Sequence, residues 1–316
     1  MQFDIIALGE PLYELNQQPD GRYLAGFGGD TSNVVIAAAR LGSHCGYIGK
    51  LGNDPFGDAI AALWAREGVD SSAVARHATA QTGLYLVTHG KGGHQFSYYR
   101  KGSAASLMTP EDVPASIIAR AGYLHVSGIS QAISETAREA VFAAIDAARK
   151  AKIAVSYDTN LRTRLWPVET ARPAIEKAAA LSSLTKTSIE DAEALTGISD
   201  PSEIAAHFLK LGAGFVIVTL GAKGVHVATP DRHAEIAGFK VSAVDATGAG
   251  DAFTGALLSE LSRGEDLFAA ARFANAAAAL STLGYGAVEP LPRRHEVEAF
   301  LAKHESATAR DRAHRP

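Results

Sequence analysis

Short apolar runs alternate with longer segments of mixed character along most of the chain. Residues 3–8 and 215–220 are two such runs, and each is followed by a glycine, which is typical of a buried strand. Between the runs, apolar residues recur at helical spacing, so that Phe56, Ile60 and Trp64 would share one helix face. Strands that alternate with helices predict an α/β fold, with a mostly parallel sheet covered by helices on both faces.

These patterns divide the chain into a regular series of elements. We predict strands at 3–8, 46–52, 123–126, 153–157, 183–187, 215–220 and 225–228, and helices at 34–41, 55–67, 134–151, 169–181, 188–197, 201–211, 252–258, 265–283 and 294–303. No internal repeat or linker interrupts the series, so residues 1–304 are predicted to form a single domain. The polar residues 305–316 are expected to fray as a C-terminal tail.

Two stretches depart from this series. Residues 10–27 are mostly polar and are broken by Pro19 and Gly21. Residues 83–102 contain two β-prone runs joined by a glycine-rich turn, which is a hairpin signature. Because the hairpin lies between α/β units, we predict that it projects from the main sheet and forms a small β lid together with residues 10–27.

Composition narrows the functional classes. The chain has 316 residues, of which 47% are hydrophobic and 20% charged, and its formal net charge is −4. The absence of a basic stripe gives nucleic-acid binding little support. No apolar run reaches the roughly 18 residues that a membrane span needs, and residues 1–6 do not resemble an export signal. The single cysteine, Cys45, is expected to be a buried small hydrophobe. We expect a cytoplasmic protein that binds neither nucleic acid nor membrane.

Candidate chemistry centres on the stretch from Asp245 to Asp251. Gly248, Ala249 and Gly250 precede Asp251, and a helical pattern begins directly afterwards. Small residues at a helix N-terminus leave backbone N–H groups open to an anion, and the helix dipole favours negative charge there. Asp251 could then accept a proton from an attacking hydroxyl. An anion-binding turn combined with such a carboxylate predicts phosphoryl transfer to an alcohol. The alternative is a glycine-rich turn in which Asp251 only caps the helix.

A second glycine pair opens another helix. Gly28 and Gly29 precede the helix predicted at 34–41 and place Asn33 in its first turn. The Asn33 side chain offers both a donor and an acceptor, which suits the hydroxyls of a polyol. Simple capping of the helix is the alternative role.

Polar residues also follow two predicted strands. Asn160 and Arg162 come after the strand at 153–157, and open α/β sheets bind ligands at the carboxyl ends of their strands. At the end of the hairpin, Tyr98 and Arg100 could hold a sugar through an aromatic face while the guanidinium binds a carboxylate. The alternatives are a solvated loop for the first pair and a charged edge strand for the second.

With both glycine motifs in view, the chain resembles the PfkB, or ribokinase-like, family of sugar kinases from residue 5 to about residue 300. The resemblance implies a three-layer α/β/α fold with a small β lid, ATP with Mg²⁺ as cofactors, Asp251 as catalytic base and the 248–250 amides as anion hole. It also implies a monovalent-cation site, for K⁺, at Asp245 and Thr247. Nucleotide contacts are implied for Ser188, Thr219, Gly221, Gly224, Gly248, Gly250 and Asn275.

Within that family the chain is most similar to 2-keto-3-deoxygluconate kinases. The similarity lies in the opening Gly9-Glu10-Pro11-Leu12 and in two later segments, 83–103 and 158–162. It implies that the sugar is bound by Gly28, Gly29, Asn33, Tyr85, Tyr98, Arg100, Asn160, Arg162 and Asp251. A keto-acid sugar carries a carboxylate, and Arg100 and Arg162 would supply the planar donors that recognise it.

The chain departs from the family pattern at three places. Ala246 and Thr159 stand where other residues are usual. The Asn-x-x-Glu motif that the family uses in handling magnesium and phosphate appears here as Ser188-Ile189-Glu190-Asp191, so either Glu190 or Asp191 is the matching acid.

These observations predict ATP-dependent phosphorylation of 2-keto-3-deoxygluconate. Two alternatives stay open, a kinase for a neutral sugar such as fructose or ribose and a non-catalytic sugar or nucleotide sensor on the same fold. A dinucleotide oxidoreductase is disfavoured, because the first strand is not followed by G-x-G-x-x-G. The expected partners are the sugar and ATP, and the lid sheet offers an edge for homo-oligomer formation.

Overall fold

A computed structural model describes the backbone of residues 2–90 and 93–313 and all side chains within them except those of 90, 93, 94 and 306–313. The strands are β1 (Phe3–Leu8), β2 (Leu12–Gln17), β3 (Tyr23–Gly28), β4 (Cys45–Gly52), β5 (Val69–His77), β6 (Leu84–Gly90), β7 (Gly93–Tyr99), β8 (Ala121–Ser127), β9 (Ala154–Asp158), β10 (Leu184–Ser188), β11 (Phe215–Thr219), β12 (Gly224–Ala228) and β13 (His233–Ala237). The helices are α1 (Asp30–Arg40), α2 (Pro55–Glu67), α3 (Ala115–Ile118), α4 (Gly128–Ala132), α5 (Glu135–Lys150), α6 (Val168–Ala180), α7 (Ile189–Thr196), α8 (Pro201–Leu211), α9 (Ala249–Ser262), α10 (Leu267–Ser281) and α11 (Arg294–Ala313).

The main sheet has nine strands in the order β13-β12-β11-β10-β9-β8-β1-β4-β5. Its strands are parallel from β11 through to β5, and β12 and β13 add an antiparallel edge. Ile5 packs into the hydrophobic core on one face of the sheet and Ile6 into the core on the other, because successive side chains of a strand point in opposite directions. Both faces are therefore covered, and the predicted three-layer ribokinase-like fold is confirmed.

A second sheet has four strands in the order β3-β2-β6-β7. It consists of residues from the two stretches that do not fit the α/β series. β2 pairs antiparallel with β3, β6 pairs antiparallel with β7, and β2 and β6 run parallel at the centre. Its buried core is small, with Leu12, Tyr85 and Val87 packed against Phe96. We refer to this sheet as the lid.

The sequence patterns miss the two outermost strands of the main sheet, β5 and β13. Each pairs with the sheet along only one edge, and in β13 exposed residues alternate with partly buried ones. An edge strand needs no continuous apolar run, which explains the omission.

The last helix also differs from its predicted length. The backbone of α11 is helical to Ala313, beyond the predicted end at residue 303. The side chains after residue 305 lie outside the described residues, and the fraying expected there stays a prediction. Among the described residues, no helix combines the length and apolar character that a membrane crossing requires.

Candidate active site

A cavity of about 730 Å³ opens between the lid and the carboxyl ends of the central strands. It brings together most of the site residues predicted from sequence, namely Gly28, Gly29, Asn33, Tyr85, Tyr98, Arg100, Asn160, Arg162, Ser188, Thr219, Thr247, Gly248, Gly250 and Asp251. It also exposes charged residues that the sequence patterns did not single out, namely Asp30, Asp158, Arg164 and Lys186. The predicted residues Gly221, Gly224, Asp245, Ala249 and Asn275 do not line this cavity.

Asp251 lies in the first turn of α9 and faces Asn33 in the first turn of α1. The Nδ2 of Asn33 donates to the Oδ2 of Asp251 over 2.8 Å. The capping residue of α9 is Gly248, with a left-handed φ of 76°, and no side chain caps it. Asp251 is therefore not the helix cap that the alternative interpretation required.

The environment of Asp251 raises the proton affinity of its carboxyl. Burial and the charges of Asp30 and Asp158 together raise the pKa of Asp251 to about 7, although the hydrogen bond from Asn33 and the charge of Lys186 oppose the rise. A general base works best when its pKa lies near the operating pH, and Asp251 meets that condition.

The backbone around Asp251 leaves N–H donors open to an anion, and the anion hole of residues 248–250 stays a prediction. The N–H of Ala249 donates to the carbonyl of Ala246 over 3.1 Å and so closes a turn. Within the described part of the chain, the N–H groups of Gly250 and Asp251 donate to no protein acceptor. A Cβ built on Gly250 would lie 3.6 Å from the Nζ of Lys186, so a cation stands beside these free donors.

Lys186 belongs to a buried ion pair at the ends of two neighbouring strands. Its Nζ lies 2.7 Å from the Oδ2 of Asp158, and each side chain is only 7% exposed. The two residues are aligned in the parallel pairing of β9 with β10. The sequence could have pointed to Asp158 and Lys186, because Asp158 directly follows one predicted strand, Lys186 comes late in another, and ligands bind at the carboxyl ends of such strands.

Asp30 connects α1 to the loop after β9. Its Oδ2 accepts from the Nδ2 of Asn160 over 2.8 Å, and its Oδ1 accepts from the N–H of Thr31 over 2.8 Å. Asn160 has a φ of 31°, a positive value that non-glycine residues rarely adopt. Asp30 had no assigned role in the sequence patterns, although it lies between the Gly28-Gly29 pair and Asn33.

Arg100 is held in a buried ion pair with Glu10. The Nη2 of Arg100 donates to the Oε2 of Glu10, and Ser103 donates to the other oxygen over 3.1 Å. Burial raises the pKa of Glu10, while the charge of Arg100 and the Ser103 hydrogen bond oppose that rise. The charge of Arg100 is thus compensated inside the protein, and its guanidinium lies 5.5 Å from the ring centre of Tyr98.

Tyr85 is likewise engaged with an acid of the lid. Its hydroxyl donates to the Oε2 of Glu14, and burial together with that carboxylate raises the pKa of Tyr85. Its ring lies 5.6 Å from that of Tyr98, so the two aromatics form a wall of the cavity.

Two other arginines, Arg162 and Arg164, form no such ion pair with a described residue, although the charge of Arg162 opposes the rise in the pKa of Asp191. Both are exposed and line the cavity from the loop after β9. Arg162 donates from Nη1 to the carbonyl of Leu161 over 2.9 Å, and no described carboxylate lies within ion-pair distance of either guanidinium. Positive charge that is available to a ligand therefore lies on this loop.

The chain matches the family described as pfkB family carbohydrate kinase over residues 3–294. That match spans the main sheet, the lid and the cavity between them. The chain belongs to the pfkB family of carbohydrate kinases. It is therefore a phosphotransferase that acts on a sugar hydroxyl.

Relatives of this pfkB kinase include fructokinases and 2-dehydro-3-deoxygluconokinases. The chain is 38% identical to Fructokinase-1 of Zea mays over 291 residues, covering 89% of this chain and 90% of the relative. It is 34% identical to the 2-dehydro-3-deoxygluconokinase of Bacillus subtilis (strain 168) over 312 residues, covering 96% of each. The crystal structure of fructokinase with bound ATP from Xylella fastidiosa superposes with a TM-score of 0.89 at 29% identity, covering 96% of this chain and all of that one.

Residues predicted to contact the nucleotide have structural roles of their own in this pfkB kinase. The Nδ2 of Asn275 donates to the carbonyls of Ile236 and Ala237 over 3.1 and 3.3 Å. Gly224 has a φ of 108°, and a Cβ there would lie 2.1 Å from the carbonyl oxygen of Ile236. Gly221 is also left-handed, with a φ of 58°. Their contact with a nucleotide stays a prediction.

The carboxylate of Asp245 holds its own loop through Thr247 and links that loop to the one that contains Gly286. The Oδ1 of Asp245 accepts from the N–H and the Oγ1 of Thr247 over 2.9 and 2.6 Å, and its Oδ2 accepts from the N–H of Gly286 over 2.9 Å. The predicted K⁺ would have to share oxygens that already accept three protein donors. Its binding there stays a prediction.

The geometry distinguishes the two acids of the Ser188–Asp191 segment. Asp191 lines the same cavity as Asp251, and its Oδ2 accepts from the N–H of Leu161 over 3.0 Å. Burial, with a contribution from Asp158, raises the pKa of Asp191 to about 6. Glu190 is exposed and lines a different cavity. Asp191 is thus the acid that faces the site, and Ser188 caps α7.

Proposed function

We propose that this pfkB kinase uses ATP to phosphorylate the terminal hydroxyl of 2-keto-3-deoxygluconate. The observation that carries the proposal is a pair of exposed guanidinium groups, those of Arg162 and Arg164, which have no ion-pair partner among the described residues and line the same cavity as Asp251. A sugar acid brings one carboxylate, and guanidinium groups bind carboxylates through two parallel hydrogen bonds. The 2-dehydro-3-deoxygluconokinase of Bacillus subtilis (strain 168) supports the same substrate class.

The phosphoryl group moves from ATP to the sugar hydroxyl, and the hydroxyl proton moves from the sugar to Asp251. The sugar hydroxyl oxygen attacks the γ-phosphorus of ATP, the bond to the β-phosphate oxygen breaks, and ADP leaves. Asp251 accepts the hydroxyl proton, and Asn33 orients the carboxylate through its 2.8 Å hydrogen bond. The N–H groups of Gly250 and Asp251, with Lys186 beside them, stabilise the charge on the transferring phosphoryl oxygens.

The acids Asp158 and Asp191 would hold Mg²⁺ at the edge of the cavity through bridging water. Both line the cavity, and no group of three or more metal-ligating side chains occurs among the described residues, which suits a water-mediated ion. When bound, the ion would neutralise charge on the phosphates. The lid would exclude water that otherwise hydrolyses ATP.

A second candidate is a kinase for a neutral ketose. The observation that favours it is the ion pair of Arg100 with Glu10, because an arginine already neutralised by a buried acid gains less from a substrate carboxylate. The fructokinase of Zea mays supports this class.

An ATP-consumption assay with 2-keto-3-deoxygluconate, fructose and ribose tests the proposal. We expect kcat/KM to be highest for the sugar acid. A higher value for fructose would favour the neutral-sugar enzyme. Absence of turnover with all three sugars, in a folded protein that binds them, would overturn the proposal and favour a sensor.

A further inference from the structure

We propose that Asp30 is a positioning residue of the transfer reaction, which fixes the substrate loop at Asn160 and sets the charge that surrounds Asp251. This inference rests on the proposed role of Asp251 as the base. Asp30 lies between the Gly28-Gly29 pair and Asn33, and the roles predicted for those residues do not include it.

The first turn of α1 places Asp30 beside the reacting groups. Asp30 and Asn33 are three residues apart and so lie on the same side of the helix. Asn33 donates to Asp251, whereas Asp30 accepts from Asn160. Both side chains are buried, at 9% and 4% exposure. One helical turn therefore joins the catalytic helix α9 to the loop after β9.

That loop is bent at Asn160 and held by three carboxylates. Asn160 has a φ of 31°, a conformation that persists only where surrounding contacts require it. Its N–H donates to Asp158 over 3.3 Å, and the next N–H, of Leu161, donates to Asp191 over 3.0 Å. Asp30 supplies the only one of these contacts that reaches the Asn160 side chain. Arg162 follows directly, so the position of the substrate arginine depends on this bend.

Both oxygens of Asp30 are engaged by protein donors, Thr31 and Asn160. This is why we assign it a positioning role rather than direct sugar binding.

Asp30 also contributes to the electrostatic environment of the base. The charged or titratable groups that face Asp251 are Asp30 on α1, Asp158 on β9, Lys186 on β10 and Tyr85 on the lid. After burial, Asp30 is the largest cause that raises the pKa of Asp251, because a neighbouring negative charge disfavours a second one. Asp30 therefore makes Asp251 a stronger base. The same effect keeps Asp251 protonated, and so unable to act as base, at slightly acidic pH.

The test is the pH dependence of kcat/KM in Asp30→Asn. This variant removes the charge and keeps the shape, so we expect the acid limb to move to lower pH by about one unit. Asp30→Glu keeps the charge but displaces the contact with Asn160, so the limb should stay in place while kcat falls. Asp146→Asn removes an exposed acid of α5 that pairs with Lys150 and is the matched control, with an unchanged profile expected.

An unmoved acid limb in Asp30→Asn would overturn the inference and assign Asp30 a merely structural role. A measurement without turnover separates this outcome from failure of the proposed function. The carboxyl carbon of Asp251, assigned in ¹³C NMR spectra with Asp251→Asn, should titrate at lower pH in Asp30→Asn even if no sugar is phosphorylated. An unchanged NMR titration would overturn the inference independently of the substrate.

Discussion

Two charged groups that line the cavity, Asp251 and Arg100, are compensated in different ways. Around Asp251, burial and the acids Asp30 and Asp158 raise the pKa to about 7 against the charge of a nearby lysine. Arg100 is instead paired directly with the buried Glu10. The acids beside Asp251 outnumber the one cation there, whereas opposite charges cancel where the lid joins the main sheet. The difference teaches that a charged residue beside a ligand cavity is not necessarily available to the ligand.

The most severe way to break this comparison is Asp251→Asn. The amide cannot accept the hydroxyl proton, so we expect kcat to fall by about 10²–10⁴-fold. Sugar affinity, measured by calorimetry, should stay close to that of the unaltered protein because the shape of the side chain is kept. Near-normal turnover in this variant would show that another group is the base.

Loss of the ion pair between Arg100 and Glu10 should lower the free energy of unfolding more than it lowers the affinity for the sugar. Arg100→Ala leaves Glu10 buried without its partner, and removing one member of a buried ion pair costs about 3–5 kcal/mol of unfolding free energy. Denaturant unfolding measures this loss. The double variant Glu10→Gln with Arg100→Ala removes both charges and should recover much of it; equal losses in the single and double variants would contradict a stabilising pair.

The two arginines of the loop after β9, Arg162 and Arg164, should determine which sugar the enzyme prefers. Arg162→Ala removes a charge-assisted contact worth about 1.5–3 kcal/mol, so kcat/KM for 2-keto-3-deoxygluconate should fall by about 10–150-fold. The value for fructose should change little. Arg66→Ala alters an exposed arginine at the end of α2, far along the chain from the site loops, and serves as the control. Equal losses for both sugars would argue against carboxylate recognition by this loop.

The smallest effect is the pH dependence of the unaltered enzyme. Asp251 must be deprotonated to act as base, so activity is present above its pKa and is lost as pH falls through about 7. Between pH 6 and pH 8 the ionised fraction changes by about tenfold, and kcat/KM should rise accordingly. An acid limb near pH 4 would mean that the neighbouring acids do not raise the proton affinity of Asp251.

Much of the fold could be predicted because several central strands, such as β1 and β11, are buried on both faces and read as apolar runs. The family resemblance implied that Asn33 and Asp251 share one site, but the hydrogen bond between them across 218 residues was not predicted. The pairing of Glu10 with Arg100 could not be predicted either, because each residue taken alone is consistent with a ligand contact. Only the register of the folded chain shows that the two face each other.

Lys186 escaped notice for a related reason. A lysine within a short strand ordinarily reaches solvent, and nothing in the pattern of β10 marks it as 7% exposed. Its burial follows from the parallel alignment with Asp158 on β9, which is a property of strand order rather than of either strand.

The parallel pairing at the centre of the lid has a consequence for how the chain acquires its structure. Tyr13 of β2 pairs with Leu84 of β6, so the lid cannot form until the intervening α1, β4, α2 and β5 have been synthesised and folded back. Contacts between distant parts of a chain carry a high loop-closure entropy and form slowly. All four lid strands nevertheless precede β9, β10 and α9, which carry Asp158, Lys186 and Asp251, so a nascent chain that ends after β7 contains every lid strand but not yet the floor of the cavity.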